Sequence, residues 1–165
     1  MQAKVGAPPA RGPASALPLL QPGAGFAHTE SAGSRPRGAT AERVLLIEDD
    51  FLVATQIEAA LIDAGFEIAG VGSASDEAIE LASSLRPTLC VMDIRLAGGR
   101  DGIEAAIEIF GAHATRCIFA TAQADPEARV PAEKAVPLGW LQKPFSRTSL
   151  VAAVRGAVRE LQGRN

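Results

Sequence analysis

Four places in this chain offer side chains suited to phosphoryl chemistry: the acids Glu48-Asp49-Asp50, the lone acid Asp93, the hydroxyl of Thr121 and the ammonium of Lys143. A hard divalent cation such as Mg²⁺ takes a few carboxylate oxygens and keeps its other positions for water and phosphate, which suits Asp49, Asp50 and Asp93. Clustered carboxylates without a cation repel one another and raise a pKa, so an acidic pocket itself argues for a bound ion. Asp93 is then the nucleophile that attacks phosphorus and becomes an acyl phosphate. Lys143 and Thr121 would hold the phosphoryl oxygens that the metal leaves uncovered. Each residue also has a plainer reading. Asp93 can open a turn, Asp49 and Asp50 can start a helix, Thr121 can end a strand, and Lys143 can be a solvated cation before Pro144. Their joint occurrence favours the chemistry.

The elements that must position these groups are short apolar runs alternating with helical periods. Thr88 to Asp93 is a continuous apolar run ending on one carboxylate before a Gly-rich turn, the pattern of a buried strand. Val44 to Ile47, Phe66 to Val71, Arg116 to Thr121 and Leu138 to Gln142 supply four more strands. Between them, Leu52, Val53, Ile57, Ala60 and Leu61 recur at helical spacing until Gly65 ends the helix. Ser75-Asp76-Glu77 starts a second helix, with Ala78, Ile79, Ala82 and Leu85 inward, stopped before Pro87. Asp101 caps a third, whose inward residues are Ile103, Ala106, Ile107 and Phe110. Asp125-Pro126 opens a fourth that Pro131 interrupts and Pro137 closes, so it is expected to be short and weakly held. Ser146 to about Leu161 is the last, with Leu150, Val151, Val154, Val158 and Leu161 on its buried face. Five strands alternating with five helices imply a three-layer parallel α/β sandwich. In such a sheet the carboxyl ends of the strands line the ligand crevice, where the acids, hydroxyl and ammonium converge.

Residues 43 to about 162 resemble the receiver domain of two-component response regulators. The Glu48-Asp49-Asp50 cluster, Asp93, Thr121 and Lys143-Pro144-Phe145 match its motifs in order. The resemblance implies a flavodoxin-like (βα)5 fold with sheet order 2-1-3-4-5 and phosphorylation of Asp93 by a phosphohistidine of a sensor kinase. It also implies Mg²⁺ held by Asp49, Asp50, Asp93 and the backbone carbonyl of Arg95. Thr121 would follow the phosphoryl group on activation and move the face made by the fourth helix, fifth strand and fifth helix, where a downstream protein partner binds. Phe119-Ala120-Thr121 and Leu141-Gln142-Lys143-Pro144-Phe145 are similar to the FATGUY-motif subgroup, which works with HWE or HisKA2 sensor kinases. Ala122 replaces that motif's Gly, Gln123 and Ala124 do not supply its aromatic, and the turn from Leu96 to Gly102 is one residue longer than the common loop and lacks its proline. Trp140 stands at the aromatic switch position, usually Tyr or Phe. It is either part of the switch or packed on the last helix as partner surface.

Residues 1–41 hold six of the eleven prolines and six of the sixteen glycines, the composition of a disordered leader. Its arginines and scarcity of acids loosely suggest a transit peptide, but its prolines forbid an amphipathic helix, and an over-extended start or plain tail fits better. The receiver is expected over 42–162, with 163–165 as tail and no output module. A formal charge of -3 and a pI near 5.4 give no support for nucleic-acid binding. No apolar run is long enough to cross a bilayer. Cys90 and Cys117 sit in strand-like runs and read as small buried hydrophobes in a reducing, cytoplasmic setting.

The expected function is therefore phosphoryl acceptance, with output through protein contacts or as a phosphate sink, and no enzymatic turnover beyond self-phosphorylation and dephosphorylation. Homodimerisation stays open. A pseudo-receiver regulated without phosphorylation would be expected to lose Asp93, Lys143 or the paired acids. An aspartyl phosphohydrolase commonly needs a second acid where this chain has Arg95.

Overall fold

The computed structural model describes residues 41–96, 101–122 and 126–163. The leader, the Gly98-Gly99 turn, Gln123 and the expected N-cap Asp125 lie outside the described residues. Five parallel strands, β1 (Arg43–Ile47), β2 (Glu67–Gly72), β3 (Leu89–Asp93), β4 (Arg116–Thr121) and β5 (Gly139–Gln142), form one sheet in the order β2-β1-β3-β4-β5. The strands alternate with α1 (Phe51–Asp63), α2 (Ser75–Leu85), α3 (Gly102–His113), α4 (Pro126–Ala132) and α5 (Arg147–Gln162). This is the flavodoxin-like order expected from the sequence.

The two faces of the sheet bury different side chains, as period-two alternation requires. Leu45, Ile47, Cys90, Met92, Cys117 and Phe119 pack with α2, α3 and the α4 region. Val44, Leu46, Leu89, Val91, Ile118 and Leu141 pack with α1 and α5. The central strands are buried on both faces, which is why they read as unbroken apolar runs. Cys90 and Cys117 are register partners on β3 and β4, both free thiols and both buried. A hydrogen bond to Cys117, together with burial, pushes the Cys90 thiol well above its ordinary pKa.

Some details differ from the sequence reading. Leu52 is 69% exposed, because Ala54, Ile57 and Leu61 set the inward stripe of α1 and Leu52 lies off it. On α3 the buried set is Ile103, Ala105, Ala106 and Ile109, while Ile107 and Phe110 are half-buried. The small alanines turn toward the sheet and let the helix approach closely. The fourth helix is short, as expected: Pro131 lies inside its seven residues, and a 3₁₀ turn, Glu133–Ala135, follows.

α3 ends on Ala114, whose backbone is left-handed at φ 56° without being glycine. Such a residue carries a steric cost that glycine avoids. Ala114→Gly should raise stability by about 0.5–1 kcal/mol, seen as a higher urea midpoint at unchanged slope.

Candidate functional site

Strand register builds the site. β1 and β3 pair Ile47 with Met92, so the next residues, Glu48 and Asp93, emerge side by side at the carboxyl edge. Asp93 in turn pairs with Ala120, one residue before Thr121. Thr121 pairs with Gln142, and the Lys143 N–H donates to the Thr121 carbonyl at 2.7 Å. Lys143 is thereby placed next to both acids, and a cis peptide bond joins it to Pro144.

The Lys143 ammonium donates to Asp93 Oδ2 at 2.6 Å and to Glu48 Oε2 at 2.5 Å. Glu48 is 3% exposed and Asp93 7%. Burial and the charge of Asp93 hold the Glu48 carboxyl above its ordinary pKa, although the Lys143 hydrogen bond pulls it down. Burial alone would lower the Lys143 pKa, but hydrogen bonds to Asp93 and Glu48 outweigh it and hold the ammonium above its ordinary value. The lysine therefore stays charged throughout the neutral range. The other oxygen of Asp93, Oδ1, accepts from the Arg95 N–H at 3.0 Å.

Among the described residues, Glu48, Asp49 and Asp93 are the acids that gather, with one carboxylate oxygen of each within 4.8 Å of the others. Three convergent hard oxygen donors, one of them exposed to water on Asp49, fit a divalent cation that keeps part of its hydration shell. The grouping differs from the expected ligand set in one position. Asp50 is placed as the N-cap of α1, where its Oδ1 accepts from the Leu52 and Val53 N–H groups at 2.9 and 3.1 Å. Those donors have no partner within the helix, so the first acid with two free N–H groups ahead of it becomes the cap. Glu48, which is not among the expected ligands, stands in the cluster. The missed signal was phase: Glu48 and Asp93 are each the first acid after the last apolar residue of neighbouring strands.

Gly102 is a second residue that sequence reasoning did not single out. A Cβ added there would lie 1.9 Å from the Asp93 carbonyl oxygen. α3 thus begins against the main chain of the proposed nucleophile, its Gly102 N–H donating to the Ile94 carbonyl at 2.8 Å. The Ser75 hydroxyl ties α2 to the same corner through the Asp101 carbonyl at 3.3 Å. Trp140 lies on β5 with its ring 5.0 Å from that of Phe119, and the Arg129 guanidinium sits 5.1 Å over it. Beside Lys143, an apolar groove of about 470 Å³ runs between α1 and α5, lined in part by Val53, Ile57, Pro144, Phe145 and Leu150.

The comparisons agree with the fold. Residues 44–155 match the family described as the response regulator receiver domain. The chain is 35% identical over 120 residues to the transcriptional regulatory protein PdtaR of Mycobacterium tuberculosis, covering 73% of this chain and 58% of that protein. It is 32% identical over 130 residues to the phyllosphere-induced regulator PhyR of Methylorubrum extorquens, covering 78% and 48%. The chain thus spans about half the length of these two relatives. The crystal structure of the signal receiver domain of a modulated diguanylate cyclase from Desulfovibrio desulfuricans superposes with a TM-score of 0.71 at 29% identity, covering 76% of this chain and all of that one.

Because the close approach at Gly102 is to backbone, no side-chain rotation can relieve an added methyl. Gly102→Ala should cost about 2–3 kcal/mol in urea unfolding, and the loss should be greater than for Gly111→Ala in the same helix, where nothing lies within 4 Å.

Proposed function

Since the chain belongs to the response regulator receiver domain family of two-component signalling, we propose that Asp93 accepts a phosphoryl group from the phosphohistidine of a sensor kinase. The observation that carries this reading is the nearly buried Asp93 carboxylate held between a permanently charged lysine and two further acids. An Asp93 oxygen attacks phosphorus, the new O–P bond forms, and the P–N bond to the donor imidazole breaks with its electron pair returning to nitrogen. Lys143, already on Asp93, neutralises charge on the phosphoryl oxygens as they arrive. Thr121, at the neighbouring strand end, meets one of them. Glu48, Asp49 and Asp93 would hold Mg²⁺ together with the Arg95 carbonyl. When bound, the ion supplies charge neutralisation to the oxygens of the transferring group.

The same receiver is proposed to act by protein contact, through the α4-β5-α5 face, or as a phosphate sink. Phosphorylation biases an equilibrium between two arrangements of that face. On the donor side, the exposed Phe51 and Leu52 follow the acids directly in α1 and give a kinase helix apolar surface to bind. The Phe119-Ala120-Thr121 and Leu141-to-Phe145 segments support a donor of the HWE or HisKA2 type.

Incubation with acetyl phosphate and Mg²⁺, followed by intact-mass measurement, should show one phosphoryl adduct on the wild type and none on Asp93→Asn. Equal labelling of both, or labelling of neither, would overturn the reading, the second outcome being that of a pseudo-receiver.

The metal assignment separates the neighbouring acids. Asp49→Asn should raise the Mg²⁺ concentration needed for half-maximal labelling at least tenfold, since it removes a charged donor. Asp50→Asn should leave that concentration unchanged, because asparagine caps a helix as well as aspartate does. A larger effect at Asp50 than at Asp49 would restore the expected ligand set.

A further inference from the structure

β5 delivers Lys143 to the site, yet little in the strand itself fixes its position. It is four residues long, it lies at the sheet's edge beside β4, and Leu141 is its one buried side chain. A strand so short specifies its register weakly, and a slip along β4 would carry Lys143 about 3.3 Å per residue from its level beside Asp93 and Glu48. The turn that feeds β5 is strained. Val136 has φ 47°, a left-handed backbone that a β-branched side chain strongly disfavours, and at 37% exposure its own burial offsets little of that cost. What holds the turn is Arg116, the first residue of β4, whose Nε donates to the Val136 carbonyl at 2.6 Å and Nη2 to the Pro137 carbonyl at 3.4 Å. Nη2 also meets Glu160 Oε1 of α5 at 2.8 Å, and Nη1 is enclosed without a hydrogen-bond partner. The Arg116 side chain is 9% exposed. A buried cation with one carboxylate and one orphaned nitrogen contributes little to stability, since an apolar side chain of similar volume commonly does as well or better. Its contacts are instead with the backbone that leads into β5.

We infer that Arg116 is a positioning residue for Lys143: by clasping the Val136 and Pro137 carbonyls it fixes where on β4 the last strand begins, and so the level at which the ammonium emerges beside Asp93. The effect on labelling rests on the phosphoryl-acceptor reading above; the clasp itself does not. Immediately after the clasp, the Leu138 N–H donates to the carbonyl of Cys117, the residue that follows Arg116, at 2.7 Å. From there the pairs Ile118–Gly139, Phe119–Trp140, Ala120–Leu141 and Thr121–Gln142 run without a shift to the Lys143 N–H on the Thr121 carbonyl. Glu160 sets the place of the guanidinium itself by tying it to α5. If Val136 relaxed to a right-handed or extended backbone, its carbonyl and the next would turn away, and the first pairs of β5 would be lost with them.

The test combines hydrogen exchange by mass spectrometry, read over residues 138–143 against β3 as internal reference, with the initial rate of acetyl phosphate labelling at fixed Mg²⁺, both on the full chain. Arg116→Met fills the space without the charge and should keep a urea midpoint close to that of the wild type. Exchange over 138–143 should rise by about three- to tenfold as the strand opens locally. Labelling should slow by about tenfold, the scale expected when a reacting group's partner is displaced. Glu160→Gln leaves the guanidinium in place but neutralises its partner. It should move both readouts the same way by a smaller factor, and it decides the question if Arg116→Met does not fold. Val136→Gly separates position from stability: glycine takes the left-handed backbone freely, so the double variant with Arg116→Met should recover most of both losses. Wild-type exchange in Arg116→Met overturns the inference, as does a double variant that recovers neither readout. Faster exchange at an unchanged labelling rate also overturns it, because the clasp then does not reach Lys143. Absence of an adduct on the wild type counts against the phosphoryl-acceptor reading, while exchange over 138–143 still decides the clasp.

Discussion

One ammonium group makes the carboxyl edge of this sheet tenable. Glu48 and Asp93 are both withdrawn from water, and a buried carboxylate costs several kcal/mol unless a counter-charge and hydrogen bonds offset it, on the order of the penalties known for ions in protein interiors. Lys143 provides both to the two acids at once, from a position 95 residues away from Glu48 in the chain. The pairing has a strong geometric requirement. It works only if β1, β3 and β5 end at the same level, so the register of the whole sheet is tied to a single three-group contact. Burial, and after it the charge of Asp93, holds the Glu48 carboxyl above its ordinary pKa in spite of the Lys143 hydrogen bond, and a cation beside it would favour the charged form.

The backbone on the two sides of that edge is built differently. Beside Asp93, the Arg95 N–H fixes one carboxylate oxygen and α3 begins in contact with the main chain, an approach that only a residue without Cβ permits. Beyond Thr121, by contrast, the next helix carries a proline one residue from its end, and alanines for anchors.

Much of this was legible in the sequence because burial on both faces writes itself plainly. β3 and β4 are unbroken apolar runs, and their termini at Asp93 and Thr121 were read from that pattern. α5 was equally clear, since Leu150, Val154 and Val158 repeat at helical spacing behind the Ser146 cap. The assignment of individual acids was harder. Asp49 and Asp50 both look like ligands until strand phase is fixed, and it is the pairing of Ile47 with Met92 that brings Glu48 to Asp93, while Asp50 caps α1. Leu52 misled for a different reason. Its hydrophobicity suggested an inward face, whereas the alanines at 54 and 60 occupy the close helix–sheet contact. Gly102 could not be found from sequence at all, because its role is a distance between two backbones.

The buried thiols have a practical meaning for anyone working with the protein. Cys90 and Cys117 are both fully enclosed, so neither is within reach of an alkylating reagent while the fold is intact. A cysteine introduced on an exposed helix therefore becomes the addressable thiol among the described residues. Dyes, spin labels or cross-linkers can be attached there without first removing the native sulfur atoms from the core.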